Sequence, residues 1–539
     1  MTEAGLRQLG RPDDPTTIAV DSDTTVVSDA PPAPADVAAA AAAEAAASRP
    51  KDTTVFPGFD GLRAIAALLV LVVHAGFMTT LTLRTSFGPY AARAEIGVAV
   101  FFLISGFLLY RPFVARHFAL ADSGGGRDVP EVRGFLLRRF MRVVPLYWLV
   151  FVISLVVITD KMIVANIQGL VECLLFVQGY RQAWALQGLS QAWTLNVEVA
   201  FYLFVPLYAW LLGRRVRAPR TQLWLELTGV ATLYLLGNLV HWQMIGTDTG
   251  PADGWAAWLP VWWDLFSMGM FLAVVSAWYG RQGRYPRWSA LPFSGTVCWL
   301  LAAVCYWVAS KKIGLPLWPI YHAQVRTDLG KHLFYGLFGF FLLLPAVFGP
   351  QRLGVVRRFL SSRVMTFLGS ISYGIYLWHQ TVIDVVMARS GWKIWQISFL
   401  PFFVLVLVIT VALSTLTYHL VEKPCQNLAR DWARRWKKGG RPGEPAATAP
   451  PAVAPASAVG EAPSPDAVSA GAVSVAASPM ALPVPSTPMP TRALAAAPAQ
   501  GGSAAGALDE TTVPPLPEPH QPDSIAQRDG WDGRPGGQP

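Results

Sequence analysis

Charge is scarce in this chain of 539 residues: 14% are Asp, Glu, Lys or Arg, where soluble domains carry about 25%. That deficit argues against an ordinary soluble fold. Cysteine is scarce as well. Cys173, Cys298, Cys305 and Cys425 form no CxxC pair and have no His at metal-ligand spacing, so they read as core or lipid-facing thiols, with neither disulfide nor metal expected. No basic stripe on a soluble module accompanies the formal net charge of +9, which argues against nucleic-acid binding. The Ala-rich stretch 31–48 has no basic region before it and no Leu/Val run within it, so it does not read as a signal peptide.

What the chain has instead is apolar length. Hydrophobic residues make up 53%, with 21 Trp, a residue that concentrates where hydrocarbon meets water. Apolar runs fall at roughly 60–80, 96–114, 144–160, 195–213, 223–240, 258–278, 291–309, 332–349, 365–386 and 398–420. A bilayer core takes about 20 apolar residues per helix, and backbone in lipid has to satisfy its own hydrogen bonds. The expectation is an all-α integral membrane protein of about ten transmembrane helices, with 165–178 as a re-entrant or interfacial piece. Residues 1–55 and the stretch after about 440 are Ala/Pro-rich and poor in aromatics, so both tails read as disordered.

Arginine falls in every second connection: 111–142, 214–220, 281–287, 352–363 and the segment after the last helix. The positive-inside bias then puts both termini in the cytoplasm. The link 311–331 fits this register poorly.

Ionisable groups within hydrocarbon cost several kcal/mol and mark function by default. The first helix carries Arg63 and His74, eleven residues apart, which sets them within about 20° of one face and about 16 Å apart along the axis. Arg63 also reads as a snorkelling side chain, and His74 as a neutral His bonded between helices. Glu198 at the outer end of the fourth helix and His379 in the outer half of the ninth fall at a depth similar to that of His74. A carboxylate beside an imidazole would raise its basicity, as a general base for a hydroxyl requires. Arg138, Arg139 and Arg142 sit just before the third helix. They suit phosphate binding, although a positive-inside cluster explains each of them alone.

Five stretches in order carry a resemblance: FDGLRAIAALLVLVVH, GVAVFFLISGFLLYRP, RRFMRVVPLYW, QAWTLNVEVAFY and LGSISYGIYLWH, followed by VEKP at 421–424. Together they resemble the acyltransferase-3 family of membrane O-acyltransferases. Two departures are small: Trp193-Thr194-Leu195 stands where the family usually has Trp-Ser-Leu, and Glu198 stands alone where a doublet is usual.

The resemblance implies a multi-pass enzyme of the plasma (inner) membrane, its transmembrane domain at 56–425 flanked by 1–55 and 426–539. It implies acyl-CoA, acetyl-CoA first, as donor, and a carbohydrate, glycolipid or glycosylated metabolite as acceptor. No SGNH-type hydrolase domain is expected, since no Gly-Asp-Ser motif follows the core. Arg63 with Arg138, Arg139 or Arg142 would hold the CoA phosphates. His74, supported by Glu198, would act as general base or carry the acyl group itself. His379, Ser105 and Tyr376 are candidate acceptor contacts. Ser105-Gly106 reads equally as small-residue packing, and Tyr373 and Tyr376 as packing aromatics. The competing reading is a proton-coupled exporter of a glycolipid or secondary metabolite, which the buried His, Glu and Arg would also suit.

Overall fold

The computed structural model describes residues 56–158, 167–181, 188–245, 257–317, 324–350 and 353–439. The chain divides into two units, Met1–Ala447 and Thr448–Pro539, and every described residue belongs to the first. The expectations for 1–55 and 440–539 lie outside the described residues.

The long helices are α1 (Gly58–Met78), α2 (Ile96–Asp122), α3 (Val132–Val157), α4 (Trp193–Gly213), α5 (Pro219–Ile245) and α6 (Trp263–Arg281). They continue with α7 (Ser294–Lys311), α8 (Val325–Val347), α9 (Ser372–Ser390), α10 (Phe399–Thr417) and α11 (Lys423–Gly439). The first ten coincide with the ten apolar runs. Eight of them (α1–α6, α8 and α10) are long and apolar enough to cross a membrane. Of the other two, α9 carries His379, Asp384 and Arg389, and polar residues in the functional helix lower its apolarity. The protein is a multi-pass membrane protein.

α3 begins at Val132, well before its apolar stretch, so Arg138, Arg139 and Arg142 lie within the helix and not ahead of it. Arg and Leu are good helix formers, and an Arg stem can lie along apolar surface while its head reaches polar ground, so charge alone does not end a helix. The segment expected to be re-entrant or interfacial holds a short helix, Ile167–Leu174, fastened to α3. Tyr147 and Trp148 donate to the carbonyls of Cys173 and Leu174 at 2.9 and 3.0 Å.

α2 is the hub of the bundle, packed against α1, α4, α5, α6 and α8. Its crossing with α6 is close enough to require glycine on both sides. A Cβ on Gly106 would run into the Phe266 carbonyl, and one on Gly269 into the Leu103 carbonyl. Of the two readings of Ser105-Gly106, the glycine takes helix packing.

Arginine-rich links share one end of the bundle. Gly126 and Val216, from the α2–α3 and α4–α5 links, exchange backbone hydrogen bonds at 3.2 and 2.7 Å. The Arg281 guanidinium at the end of α6 pairs with Asp122 at the end of α2, 2.7 Å apart. Arg357, counted among the topology arginines, is instead buried and donates to the carbonyls of Pro345, Phe348 and Ser289 at 2.9, 3.0 and 3.1 Å. It closes the free carbonyl end of α8.

Elsewhere two buried ion pairs join α5, α6 and α8: His241 with Asp328 at 2.9 Å and His332 with Asp264 at 2.8 Å. A π-turn, Tyr418–Glu422, links α10 to α11 without a loop, and it packs with α11 against α3.

Candidate active site

A cleft with about 760 Å³ of empty space opens between α1, α2, α3, α4 and α9. At one end stand Arg63, Arg139 and Arg142. Arg139 and Arg142 are three residues apart on α3, which sets them on one face. Arg138 is one residue off that face and does not line the cleft.

Arg63 pairs with Asp60, one turn earlier, at 2.9 Å. The charges of Arg139 and Arg142 also act on it. The Arg139 Nε is buried and has no hydrogen-bond partner among the described residues. Three guanidiniums held this close repel one another. Asp60 and Glu198 offset part of that, and a polyanion would offset the rest.

Glu198 takes the middle of the cleft. Its Oε1 accepts from Ser105 Oγ at 3.0 Å and from Tyr202 OH at 2.6 Å, and no hydrogen bond falls on Oε2. The expected support of His74 by Glu198 is therefore not the arrangement found. Glu198 stands with Ser105, Tyr202 and the field of Arg139. The carboxylates whose charge reaches His74 are Glu95 and Asp384. Depth along separate helices was read correctly to about one turn, but that margin is enough to move a side chain to another partner.

The far end of the cleft is closed by Tyr376 and Thr194, whose hydroxyls lie 2.5 Å apart, with the Tyr376 OH also donating to the Gln191 carbonyl at 2.8 Å. Tyr376 and Tyr373 both line the cleft. Beyond Tyr376, its ring centroid at 5.8 Å, lies His379, and 5.0 Å beyond that lies His74. Neither imidazole lines the cleft as it stands.

Each bonds a carbonyl one turn back through Nδ1: His74 to Val70 at 2.8 Å and His379 to Ile375 at 3.2 Å. A carbonyl only accepts, so each Nδ1 carries the proton, and each neutral ring keeps its lone pair on Nε2. His379 is 1% exposed and its Nε2 has no partner among the described residues. Two basic nitrogens are thereby presented one ring away from the cleft.

Pattern reading missed Tyr202 and Glu422. Tyr202 lies four residues from Glu198, a same-face spacing that was there to be read. Glu422, within VEKP, is 3% exposed in the π-turn with an unpartnered Oε1, and its charge acts on Arg142 and Tyr373. Among the described residues no three His, Cys, Asp or Glu are placed to hold a metal.

Residues 56–419 match the acyltransferase domain of the acyltransferase-3 family. The chain is 23% identical over 393 residues to the peptidoglycan O-acetyltransferase OatA of Listeria monocytogenes, covering 68% of this chain and 55% of that protein. It is 27% identical over 416 residues to the acyltransferase MdmB of Streptomyces mycarofaciens, covering 73% of this chain and 95% of that protein. The chain thus spans about half the length of the Listeria relative. No solved structure matches it. By the match over most of its length and the arrangement it covers, the chain belongs to the acyltransferase-3 family.

Proposed function

We propose that this chain is an O-acyltransferase of the plasma (inner) membrane, moving an acyl group from acyl-CoA to a hydroxyl of a carbohydrate, glycolipid or glycosylated metabolite. Acetyl is the first candidate, because the Listeria relative is named an O-acetyltransferase, and that name, with peptidoglycan in it, also favours a carbohydrate acceptor. The observation that carries the reading is the cleft itself, with three arginines at one end and two imidazoles with free Nε2 positions just past the other. The catalytic unit is 56–425, with 1–55 and 426–539 as flanking segments.

In this reading the CoA phosphates take the forks of Arg63, Arg139 and Arg142, and Arg139 Nε finds there the acceptor it lacks. The pantetheine arm lies along the cleft, and the distance it spans is the roughly 16 Å of α1 between Arg63 and His74. Tyr376 turns aside, breaking its bonds to Thr194 and Gln191, and the thioester meets the acceptor hydroxyl beside the His pair. His74 Nε2 takes the hydroxyl proton as the oxygen attacks the thioester carbonyl. The new C–O bond forms, the C–S bond breaks, and the proton passes to the departing thiolate. A relay through an acyl-imidazole uses the same nitrogen and the same atoms. Ser105 and Tyr202 hold Glu198 beside Arg139, so the carboxylate tunes the arginine end of the cleft and not the base. The proton-coupled exporter has no comparable support, since family membership favours group transfer.

Transfer of label from radioactive acetyl-CoA, in membranes carrying wild type or His74→Ala at matched protein levels, tests this. Labelled lipid or glycan with wild type alone is the expected result. Equal background from both, with several acyl-CoAs and native acceptor extract supplied, would end the proposal.

A further inference from the structure

Away from the cleft, the end of the bundle where the α2–α3 and α4–α5 links meet holds a second opening, a groove of about 1490 Å³ between the end of α4 and the start of α5. Its rim carries Arg127, Arg214, Arg215 and Arg217. None of the four is paired with a carboxylate among the described residues, and Arg214 is only stacked over the Trp210 ring, 5.0 Å from its centroid. The nearby carboxylates are taken. Asp128 binds Arg116 at 2.6 Å, and Glu226 is fully buried, bonded to His117 at 2.6 Å and Gln222 at 2.9 Å.

Below this rim the wall is apolar and uncovered: Trp224 is 68% exposed, Leu211 54% and Leu225 39%. Thr221 joins the rim from the first turn of α5, where backbone N–H groups await an acceptor. A ligand that satisfies both halves needs an anionic head with several acceptor oxygens and an apolar tail at least as long as the wall. Free phosphate or a nucleotide would leave the leucines and Trp224 in water, and a neutral lipid would leave four guanidiniums opposed to one another.

We infer that this groove binds one anionic phospholipid of the surrounding leaflet, its phosphate among Arg127, Arg214, Arg215 and Arg217 and one acyl chain along Leu211, Trp224 and Leu225. Basic pockets between membrane helices take such head groups, and each arginine adds to the attraction. The site is separate from the cleft and involves none of its residues.

Native mass spectrometry of the detergent-solubilised full chain, titrated with dioleoyl phosphatidylglycerol or dioleoyl phosphatidylcholine, tests the assignment. The expected result is one phosphatidylglycerol held more than about tenfold more tightly than phosphatidylcholine. That preference is lost in the quadruple variant R127Q/R214Q/R215Q/R217Q and kept in R430Q/R434Q/R435Q, which removes an equal kind of charge from α11. Equal retention of the two lipids would overturn the inference. So would an equal loss in the α11 variant, which would mean diffuse attraction. Displacement of phosphatidylglycerol by millimolar inorganic phosphate would also overturn it, making this a site for free anions. Should the quadruple variant melt early, Leu225→Glu decides: it keeps every arginine and places a carboxylate in the tail wall. Loss of the bound lipid there supports the site, and retention overturns it.

Discussion

The imidazoles of His74 and His379 approach to 5.0 Å between ring centroids, one from α1 and one from α9, with both Nδ1 atoms tied to their own helices. The pair therefore offers two Nε2 lone pairs in one small volume, of which a single hydroxyl proton needs one. In the proposed mechanism His74→Ala lowers the transfer rate by about two to four orders of magnitude, the usual worth of a general base. His379→Asn keeps a polar group and costs about tenfold. Initial rates of label transfer at matched expression check this, and the opposite ranking would exchange the two roles.

The arginine end of the cleft makes a different prediction. Arg63→Lys keeps the charge but removes the fork that meets a phosphate through two parallel bonds. Loss of one charge-assisted bond, about 1.5–3 kcal/mol, raises KM for the acyl donor by at least about tenfold and leaves kcat within a few-fold. Varying donor at saturating acceptor separates the two constants, and a fall confined to kcat would remove Arg63 from donor binding.

Glu198→Gln is expected to fold, because the amide oxygen can still accept from Ser105 and Tyr202. It removes the negative charge that faces Arg139. Activity should drop about tenfold while the melting temperature stays within a few degrees, since one unit of field change at a partly buried site is worth about 1–2 kcal/mol. Tyr202→Phe removes only one hydrogen bond, about 1 kcal/mol, and should cost less. A variant that melts far earlier than wild type would make Glu198 a structural residue.

The α2–α6 crossing is tested by stability and not by rate. Gly269→Val sets a side chain against the Leu103 backbone and should destabilise by about 1–3 kcal/mol or more. At Gly330 an added Cβ touches only Ile313, so Gly330→Ala serves as the tolerated comparison. Thermal melting in detergent reads both.

How much of this could be read beforehand divides along a physical line. Helix positions follow from apolar length, so the ten runs and ten helices agree. The meeting of His74 with His379 was legible as a shared depth. Three residues on α3 were legible as a group, but only the spacing of Arg139 and Arg142 separates them from Arg138. The partner of Glu198 was not legible. Which neighbour a helix face meets depends on the rotation and height of another helix, and neither is written in the first helix's own period. Likewise the hydrogen-bond slip at Tyr418–Glu422 leaves no mark in composition, so Glu422 passed for part of a family motif with no position of its own.

That π-turn sets the angular phase of everything that follows it. A π-turn holds one residue more than an α-turn, and removing a residue from Tyr418–Glu422 would restore ordinary winding while turning α11 by about 100°. Ala429 and Ala433 would then swing off α3, and the Arg430, Arg434 and Arg435 side would come round toward it. For this short stretch the residue count is therefore a stricter constraint than the residue identities: a conservative replacement alters one contact, whereas a single-codon deletion re-aims a whole helix against the one that carries Arg139 and Arg142.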